Sequence, residues 1–341
     1  MTDSPQRRRA SGRVTLADVA RVAGVSPITV SRALRGERAV GAELVAQVRA
    51  AAAKLNYLPD PAARALASRR GAFVVVMLPR LSSVLFTELL EAAQATLRKA
   101  GLQTLLGVTH HDPGNEEQLL RELLVHRPAG LLVTGFERSA AANELITRSG
   151  LPCVHLLETS AAPGLYSVGL SHADAGAAIT QHLLGRGCRR VAFAAAELDP
   201  PTLRRRDGWK RALVAAGLHD PRLEWLNPAA ASLELGGRMF EQIVATRPLV
   251  DAIFFGDDEL AQGALLAAAR LRVAVPQRVA VAGFNDLTGS DQMLPALTTV
   301  RTPRAQIGEQ AALMLLQLIR GQPVQNNCLD LGYELVLRAS A

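Results

Sequence analysis

The fold of one end of the chain is decided by residues 14–35, which read VTLADVARVAGVSPITVSRALR. Apolar residues recur there at spacings of three and four, which predicts a short amphipathic helix ending at Gly24. Ser26 supplies an oxygen that can cap the next helix, and Pro27 takes its first position, where a missing N–H costs nothing. The spacing therefore predicts a helix-turn-helix whose second helix covers about residues 27–34.

The second predicted helix places small polar and basic side chains on its outward face. Arg32 can bond guanine with both ends of its guanidinium, and Ile28 can contact a thymine methyl group. The hydroxyls of Thr29 and Ser31 suit phosphate oxygens. These residue types favour a helix that reads a DNA groove, while the spacing alone leaves open an ordinary helical hairpin inside an all-α domain.

Positive charge is concentrated at the same end of the chain. Residues 1–71 hold 13 Lys or Arg and 5 Asp or Glu, a net charge of +8, whereas the other 270 residues hold 25 basic and 26 acidic residues. This distribution is typical of a phosphate-binding surface. We expect residues 1–13, with Arg7, Arg8, Arg9 and Arg13, to form a disordered arm along the DNA backbone; a solvated basic tail without a partner is the alternative.

Composition excludes several classes of protein. Apolar residues make up 49% of the chain, yet none of the apolar runs approaches the roughly 20 residues of a membrane span. The N-terminus is polar and arginine-rich rather than a signal peptide, which favours a cytoplasmic protein. Three scattered cysteines suit reduced thiols, and no motif with metal-ligand or cofactor spacing is present in the sequence.

From residue 72 onward, apolar runs of strand length alternate with amphipathic helical segments. Strands are predicted at 73–79, 102–108, 130–135, 152–158, 191–196, 252–256 and 279–284. Helices are predicted at 87–100, 115–126, 139–149, 173–186, 206–216, 234–246 and 258–270. Continuous apolar strands between helices predict two doubly wound parallel-sheet lobes, and in such sheets ligands bind at the carboxyl ends of the strands.

A short segment joins the two parts of the chain. Residues 58–70 read LPDPAARALASRR and centre on Leu66 among arginines. An apolar side chain flanked by positive charges is suited to wedge between base pairs in the minor groove, although a plain linker has the same composition.

Four segments carry a resemblance to a known family: TLADVARVAGVSPITVSRAL, LNYLPDPAARALA, FFGDDELAQGAL and VPQRVAVAGFND. Through them the chain resembles the lactose-repressor family of bacterial transcription regulators over essentially its whole length. LPRLSSVLFTELLEAA, ELDPPTLRRRDGW, LTTVRTPRAQIG and LDLGYEL make it most similar to the family's gluconate repressors. The resemblance implies a headpiece at 14–58, a hinge helix at 59–71 and a periplasmic-binding-protein-like core at 72–341. Its N-lobe would comprise about 72–172 and 302–332, and its C-lobe about 173–299.

The resemblance also implies roles for individual residues of the DNA-binding end. Pro27, Ile28 and Arg32 would read bases, and Thr29, Ser31 and Asn56 would lie near phosphates. Leu66 would be the minor-groove wedge. Proline and isoleucine are poor hydrogen-bond readers, so part of the specificity would come from DNA shape and methyl contacts.

The effector pocket is predicted at the strand ends of the two lobes. Arg205, in the family motif that runs from Arg205 to Trp209, would grip a carboxylate or hydroxyls, with a surface charge as the alternative. Asp257 and Asn285 follow strands of the second series, and many relatives carry aspartate at the latter position. The remaining wall would come from Ser83, Phe86 and Glu158, although Phe86 also suits a core position.

These features together predict a transcriptional repressor of sugar-acid catabolism genes. It would bind a pseudo-palindromic DNA operator as a homodimer or tetramer and release it when a gluconate-type sugar acid binds. A ketogluconate, a neutral or a phosphorylated sugar, and a corepressor mode remain alternatives. A sugar-acid enzyme with a DNA-binding head is a further alternative that no catalytic motif supports. A periplasmic binding protein would share the two lobes. It would, however, carry a signal peptide and would have no basic headpiece.

Overall fold

A computed structural model of the chain describes residues 14–35, 40–57, 71–247 and 249–341. The described residues fall into two compact units, one up to residue 57 and one from residue 71. None of the helices in these ranges combines the length and apolar character needed to cross a membrane.

The first unit consists of three helices, α1 (Leu16–Val22), α2 (Pro27–Arg35) and α3 (Ala42–Lys54). Thr15 caps α1 through a reciprocal pair with Asp18, in which each side chain bonds the other's backbone N–H. Ser26 Oγ accepts from Thr29 N at 3.1 Å at the start of α2, as the sequence predicts. Small apolar side chains fill the core between the three helices: Val19, Ala20, Ala23, Val30, Ala33, Val48, Ala51 and Ala52.

The second unit contains two parallel sheets and one two-stranded antiparallel ribbon. Its strands are β1 (Phe73–Leu78), β2 (Gln103–Val108), β3 (Leu131–Thr134), β4 (Cys153–Leu157), β5 (Ser167–Gly169), β6 (Val191–Ala196), β7 (Glu224–Asn227), β8 (Ala252–Phe255), β9 (Ala280–Ala282), β10 (Thr299–Arg301), β11 (Cys328–Asp330) and β12 (Glu334–Val336). Its helices are α4 (Val84–Lys99), α5 (Pro113–Leu124), α6 (Ala140–Ser149), α7 (His172–Gly185), α8 (Pro200–Ala215), α9 (Leu233–Thr246), α10 (Asp258–Leu271) and α11 (Arg304–Ile319).

The two parallel sheets define two lobes. We call the six-stranded sheet, in the order β11-β5-β4-β3-β1-β2, with α4, α5, α6 and α11, lobe 1. The four-stranded sheet, in the order β7-β6-β8-β9, with α7 to α10, is lobe 2. The predicted fold class, two doubly wound parallel-sheet lobes behind a small helical headpiece, is confirmed. The chain leaves lobe 2 through β10 and returns to lobe 1 through α11 and β11. It then comes back to lobe 2 through β12, which pairs with β10, and Ser340 bonds Val281 of β9.

Glycines allow helix pairs to pack with their backbones in contact. A Cβ atom on Gly208 of α8 would lie 2.0 Å from the Ala173 carbonyl oxygen of α7. Equivalent contacts join α10 to α9 at Gly263 and α11 to α4 at Gly308. Side chains cannot be accommodated at these distances, so the glycines set how closely the helices approach.

Two helices begin three or more residues before their predicted starts. α8 begins at Pro200 rather than at residue 206, because Asp199 caps its first turn and two prolines occupy positions where no N–H is required. α4 begins at Val84 rather than at residue 87. Phe86 is therefore a helical residue whose side chain is buried in the core of lobe 1.

Candidate functional site

The outward face of α2 is the candidate DNA-contacting surface. Pro27, Ile28 and Arg32 are exposed there, and Ile28 is 66% exposed. Thr29 and Ser31 are half-buried, and Thr29 Oγ1 lies 2.8 Å from Ser26 Oγ. An exposed isoleucine beside an arginine at the start of a helix is suited to a groove rather than to solvent.

The other predicted DNA contacts lie on neighbouring or undescribed parts of the chain. Asn56 is exposed after α3, with a φ of 47°. The predicted arm at residues 1–13 and the predicted wedge Leu66 lie outside the described residues. The roles of all these residues on DNA stay predictions.

A cavity of about 550 Å³ lies between the two lobes of the second unit, which we call the interlobe cavity. Its walls come from residues at the carboxyl ends of strands in both sheets, among them Leu78, Thr134, Leu157 and Glu197. Of the residues predicted to bind the effector, Phe86, Glu158, Arg205 and Asn285 line it. Ser83 and Asp257 line a smaller adjoining space of about 30 Å³, together with Arg205. All six predicted residues therefore surround this region, as expected for the strand ends of parallel sheets.

Arg205 is a buried cation that forms no direct ion pair within the described part of the chain, although the charges of Asp199, Asp257, Asp258 and Glu158 act on it from farther away. It projects from α8 and is 5% exposed. Its Nε donates to His172 Nδ1 at 3.2 Å, its Nη1 donates to the Gly256 carbonyl oxygen at 2.6 Å, and its Cζ lies 4.0 Å from the centre of the Phe284 ring. Among the residues that the structure describes, no carboxylate lies within 4.0 Å of the guanidinium, and Nη2 makes no hydrogen bond. The surface-charge alternative is wrong, because the side chain is buried.

His172 fixes the orientation of Arg205. His172 Nε2 donates to the Leu157 carbonyl oxygen at 3.0 Å, which leaves Nδ1 as the acceptor for Arg205. Burial, followed by the neighbouring Arg205 charge, holds the pKa of His172 well below its usual value. The imidazole is therefore neutral, and its tautomer suits the arginine.

Asn285 connects Asp257 to Thr302 in a buried chain of hydrogen bonds. Its Nδ2 donates to Asp257 Oδ2 at 2.9 Å, and its Oδ1 accepts from Thr302 Oγ1 at 3.1 Å. Asn285 has a φ of 103°, an uncommon conformation that the surrounding bonds hold. Burial raises the pKa of Asp257. The amide therefore has one N–H left to offer to a ligand.

Glu158 faces the cavity but is ion-paired across it. The carboxylate is 1% exposed, and Oε2 lies 2.5 Å from Nη1 of Arg204, which projects from α8 of lobe 2. Burial raises the pKa of Glu158, while Arg204 lowers it. A second bridge between the lobes joins Arg80 to Glu197. These pairs compensate two of the negative charges that would otherwise repel an anion.

Sequence reasoning missed Arg138, His172, Arg204 and Thr302. Arg138 follows β3 by four residues, and His172 begins α7 directly after β5, so both stand close to strand ends. The rule that ligands bind at the carboxyl ends of parallel strands, which we call the strand-end rule, would have included both if it were extended by a few residues. Arg204 neighbours Arg205 in sequence, but its pairing with Glu158 depends on how the lobes meet.

Asp258, at the start of α10, should make the stability of the second unit depend on pH. Its carboxylate is buried and accepts from Thr299 Oγ1 at 2.6 Å, Ser290 Oγ at 2.8 Å and Leu287 N at 2.8 Å. Burial raises its pKa to about 7. An aspartate in an unfolded chain titrates near pH 3.9, so between these values the folded state holds a proton that the unfolded state has lost. The stabilisation of the folded state by this proton is complete below the unfolded-state pKa of about 3.9. It is lost as the pH rises through the folded-state pKa of about 7.

We expect Asp258→Asn to remove this dependence. Relative to the variant, the free energy of unfolding of the parent should fall by up to about 1.4 kcal/mol per pH unit between about pH 5 and 7 and level off above that. Urea unfolding at constant ionic strength, followed by the fluorescence of Trp209 and Trp225, measures it because both lie in the second unit. A difference between parent and variant that does not change with pH would contradict the assignment.

Each of the two units matches a known protein family. Residues 15–60 match the model described as "Bacterial regulatory proteins, lacI family", and residues 180–341 match "Periplasmic binding protein-like domain". The chain is 50% identical over 340 residues to the HTH-type transcriptional regulator GntR of Pseudomonas aeruginosa, covering 100% of this chain and 99% of that protein.

Solved structures share the same architecture. The transcription regulator GntR from Chromobacterium violaceum is 44% identical, with a TM-score of 0.77 over 79% of this chain and 98% of that one. The lac repressor dimer bound to operator and the anti-inducer ONPF is 26% identical, with a TM-score of 0.86 over 96% of this chain and 99% of that one. The helix-turn-helix headpiece and the two-lobed core are both present, and a relative matches the full length at 50% identity. The chain therefore belongs to the lacI family of bacterial regulatory proteins and is a DNA-binding transcriptional regulator.

Proposed function

We propose that the chain is a repressor whose effector is a six-carbon sugar acid of the gluconate type, bound in the interlobe cavity with its carboxylate on Arg205. The observation that carries the proposal is the buried guanidinium of Arg205, which has no carboxylate partner among the described residues. A buried charge is costly unless an opposite charge compensates it. A ligand carboxylate at Nη2 would supply that charge and a charge-assisted hydrogen bond.

The acidic groups of the cavity fit the hydroxyl end of such a ligand. Glu158 is neutralised by Arg204 and Glu197 by Arg80, so neither presents a free charge to an anion. Asp257 is held by Asn285 and by the Glu259 backbone N–H, and it retains acceptor capacity for a hydroxyl group. A polyhydroxylated acid would satisfy both kinds of group, whereas a neutral sugar would leave Arg205 without a carboxylate in direct contact.

The regulatory mechanism that we propose is a shift between two arrangements of the lobes. Effector that binds both walls of the cavity would favour a closed arrangement in which the protein holds its operator less tightly. Linkage then requires that the operator weaken effector binding by the same factor. An effector that strengthens operator binding would make the protein a corepressor-dependent regulator instead.

We infer that the protein acts on a pseudo-palindromic operator as a homodimer in the cytoplasm. The lac repressor structure, which matches 96% of this chain, is a dimer bound to operator. A two-fold dimer presents two α2 helices to two half-sites. The relatives named above are transcriptional regulators. We therefore propose that the cavity binds its ligand without catalysing a reaction.

A matched pair of ligands tests the proposal. Gluconate and glucitol have the same six-carbon chain and differ at one end, where a carboxylate replaces a hydroxymethyl group. We expect isothermal titration calorimetry to show binding of gluconate and at least tenfold weaker binding of glucitol, because only the carboxylate can form a direct ion pair with Arg205. Gluconate at 100 times its dissociation constant should also add about 2.7 kcal/mol to the stability of the protein.

Related ligands separate the alternatives. 2-Ketogluconate, gluconate 6-phosphate and glucose should be titrated under the same conditions. Equal affinity for gluconate and glucitol, or binding of glucose alone, would refute the sugar-acid assignment while leaving the DNA-binding regulator in place.

A further inference from the structure

Arg304 is a largely buried arginine at the point where the chain crosses from lobe 2 to lobe 1. It is the first residue of α11, and its side chain is only 11% exposed. Its Nη1 donates to the Asn285 carbonyl oxygen at 2.6 Å and to the Asp286 carbonyl oxygen at 3.2 Å. Arg304 therefore holds the backbone of the loop after β9, from which Asn285 lines the interlobe cavity.

The same guanidinium is tied to lobe 1 through a carboxylate. Its Nε donates to Glu88 Oε2 at 2.7 Å, and its Nη2 donates to Glu88 Oε1 at 3.3 Å. Two parallel bonds of this kind fix the plane of a guanidinium as well as its position. Glu88 lies on α4, two residues after Phe86, which belongs to the cavity wall formed by lobe 1. Arg304 thus connects the loop of Asn285 to the helix that carries part of the other wall.

Asn285 depends on such support because its backbone conformation is unfavourable. Its φ of 103° lies in the region that favours glycine, and a residue of another type stays there only where its surroundings hold it. Its N–H donates to the Val300 carbonyl oxygen at 2.7 Å, and its side chain is bonded between Asp257 and Thr302. Arg304 holds the remaining backbone group, the carbonyl oxygen. The orientation of the amide in the cavity wall is therefore fixed from both the side chain and the backbone.

We propose that Arg304 is a positioning residue for the effector, which holds the Asn285 amide in the orientation that bonds a ligand hydroxyl group. Arg304 lines neither the interlobe cavity nor the adjoining smaller space, so it acts without contacting the ligand. A polar group that is already held in its binding orientation costs less to order when the ligand arrives. The inference rests on the proposed function, because it takes the interlobe cavity to be the effector site.

A double-mutant cycle tests the proposal. Arg304→Met keeps a long apolar side chain and removes its donors, and Asn285→Gly removes the amide at a φ that glycine adopts without strain. We expect calorimetry on the full chain to show that Arg304→Met weakens gluconate binding at least about tenfold when Asn285 is present. In the Asn285→Gly background the same substitution should change the dissociation constant by less than about threefold, because the group that Arg304 positions is already absent.

The cycle separates positioning from a purely structural role. A residue that only stabilised the fold would weaken gluconate binding by the same factor in both backgrounds. Thermal unfolding without ligand measures the loss of stability in each variant separately. Arg320→Met, at an exposed position that ends α11, is the matched control and should bind gluconate like the parent.

Glu88→Gln decides the matter if Arg304→Met does not fold. It leaves Arg304 in place but removes the charge that orients the guanidinium. We expect roughly five- to tenfold weaker gluconate binding when Asn285 is present. In the Asn285→Gly background the change should be no more than about twofold.

The outcomes distinguish the two proposals. If gluconate binds and depends on Arg205, but Arg304→Met weakens it equally in both backgrounds or not at all, only the present inference is overturned. An Asn285→Gly protein that binds gluconate like the parent also overturns it, because Arg304 would then have no ligand contact to position. If glucose alone binds, the sugar-acid assignment fails and the same cycle is run with glucose. If none of the ligands titrated above binds the parent protein, the proposed function fails and the inference fails with it.

Discussion

Arg205→Gln is expected to weaken gluconate binding by at least about 30-fold. Removing one partner of a buried charge pair at a binding site costs about 2–5 kcal/mol, and 2 kcal/mol corresponds to roughly 30-fold in affinity. Glutamine is uncharged and shorter, so the variant loses the charge together with the guanidinium donors to His172 and Gly256. The affinity for glucitol should change much less, because a neutral ligand does not use that charge. Calorimetry with both ligands gives the two dissociation constants directly.

The same helix offers a control for this variant. Arg211 lies on α8, is 57% exposed and pairs with Asp174. Arg211→Gln should bind gluconate like the parent, because an exposed ion pair contributes little. The unfolding temperature without ligand shows separately whether Arg205→Gln folds. A folded Arg205→Gln protein that binds gluconate within threefold of the parent would remove Arg205 from the site.

Gly208→Ala is expected to lower the unfolding temperature of the second unit by several degrees and to weaken effector binding as well. The added Cβ would meet the Ala173 carbonyl oxygen at 2.0 Å and the Ala177 nitrogen at 2.7 Å. Both are backbone atoms, so α7 and α8 must move apart, and overpacking of this kind costs about 1–3 kcal/mol. α7 begins with His172 and α8 carries Arg205, so the movement also disturbs their hydrogen bond. Differential scanning calorimetry measures the first effect, and ligand titration measures the second.

Gly185→Ala provides the matched comparison. Gly185 ends α7, and a Cβ there would have no atom within 4 Å. Alanine is the better helix former by up to about 1 kcal/mol, so this variant should be as stable as the parent or more stable. Equal unfolding temperatures for the two alanine variants would show that the α7–α8 contact has room for a methyl group.

Secondary structure was easiest to predict from the sequence where a single pattern, such as an apolar run, identifies the element. Strands such as β6 are continuous apolar runs, because both faces of a parallel sheet are covered, and this pattern was sufficient to predict them. β5, β10 and β11 have three residues each and contain polar residues, so they do not stand out as apolar runs; β9 is equally short but lies within the apolar run VAVAGF. The early start of α8 was not predicted, although Asp199 can cap a helix and proline is favoured in a first helical turn. α11 was not predicted, although the apolar residues of its sequence recur at helical spacing.

The candidate site followed from the strand-end rule, but its charge balance did not. The rule placed Asp257 and Asn285 near Arg205 because parallel strands end at the same edge. It could not show that Glu158 is neutralised by Arg204, because that pair joins two lobes that lie apart in sequence.

The return of the chain to lobe 1 has a consequence for protein synthesis. β5 is the last strand of that lobe before the chain enters lobe 2, and α11, which packs against α4, begins only at Arg304, 135 residues after Gly169. On the ribosome, the α4 surface around Leu89 and Ala93 therefore stays uncovered while most of lobe 2 is made. Exposed apolar surface of this kind is prone to aggregate. Lobe 1 is thus completed only after most of lobe 2 has been translated, and lobe 2 in turn is completed by the last residues of the chain, from β12 to Ser340. Neither lobe can be isolated by cutting the chain at a single point.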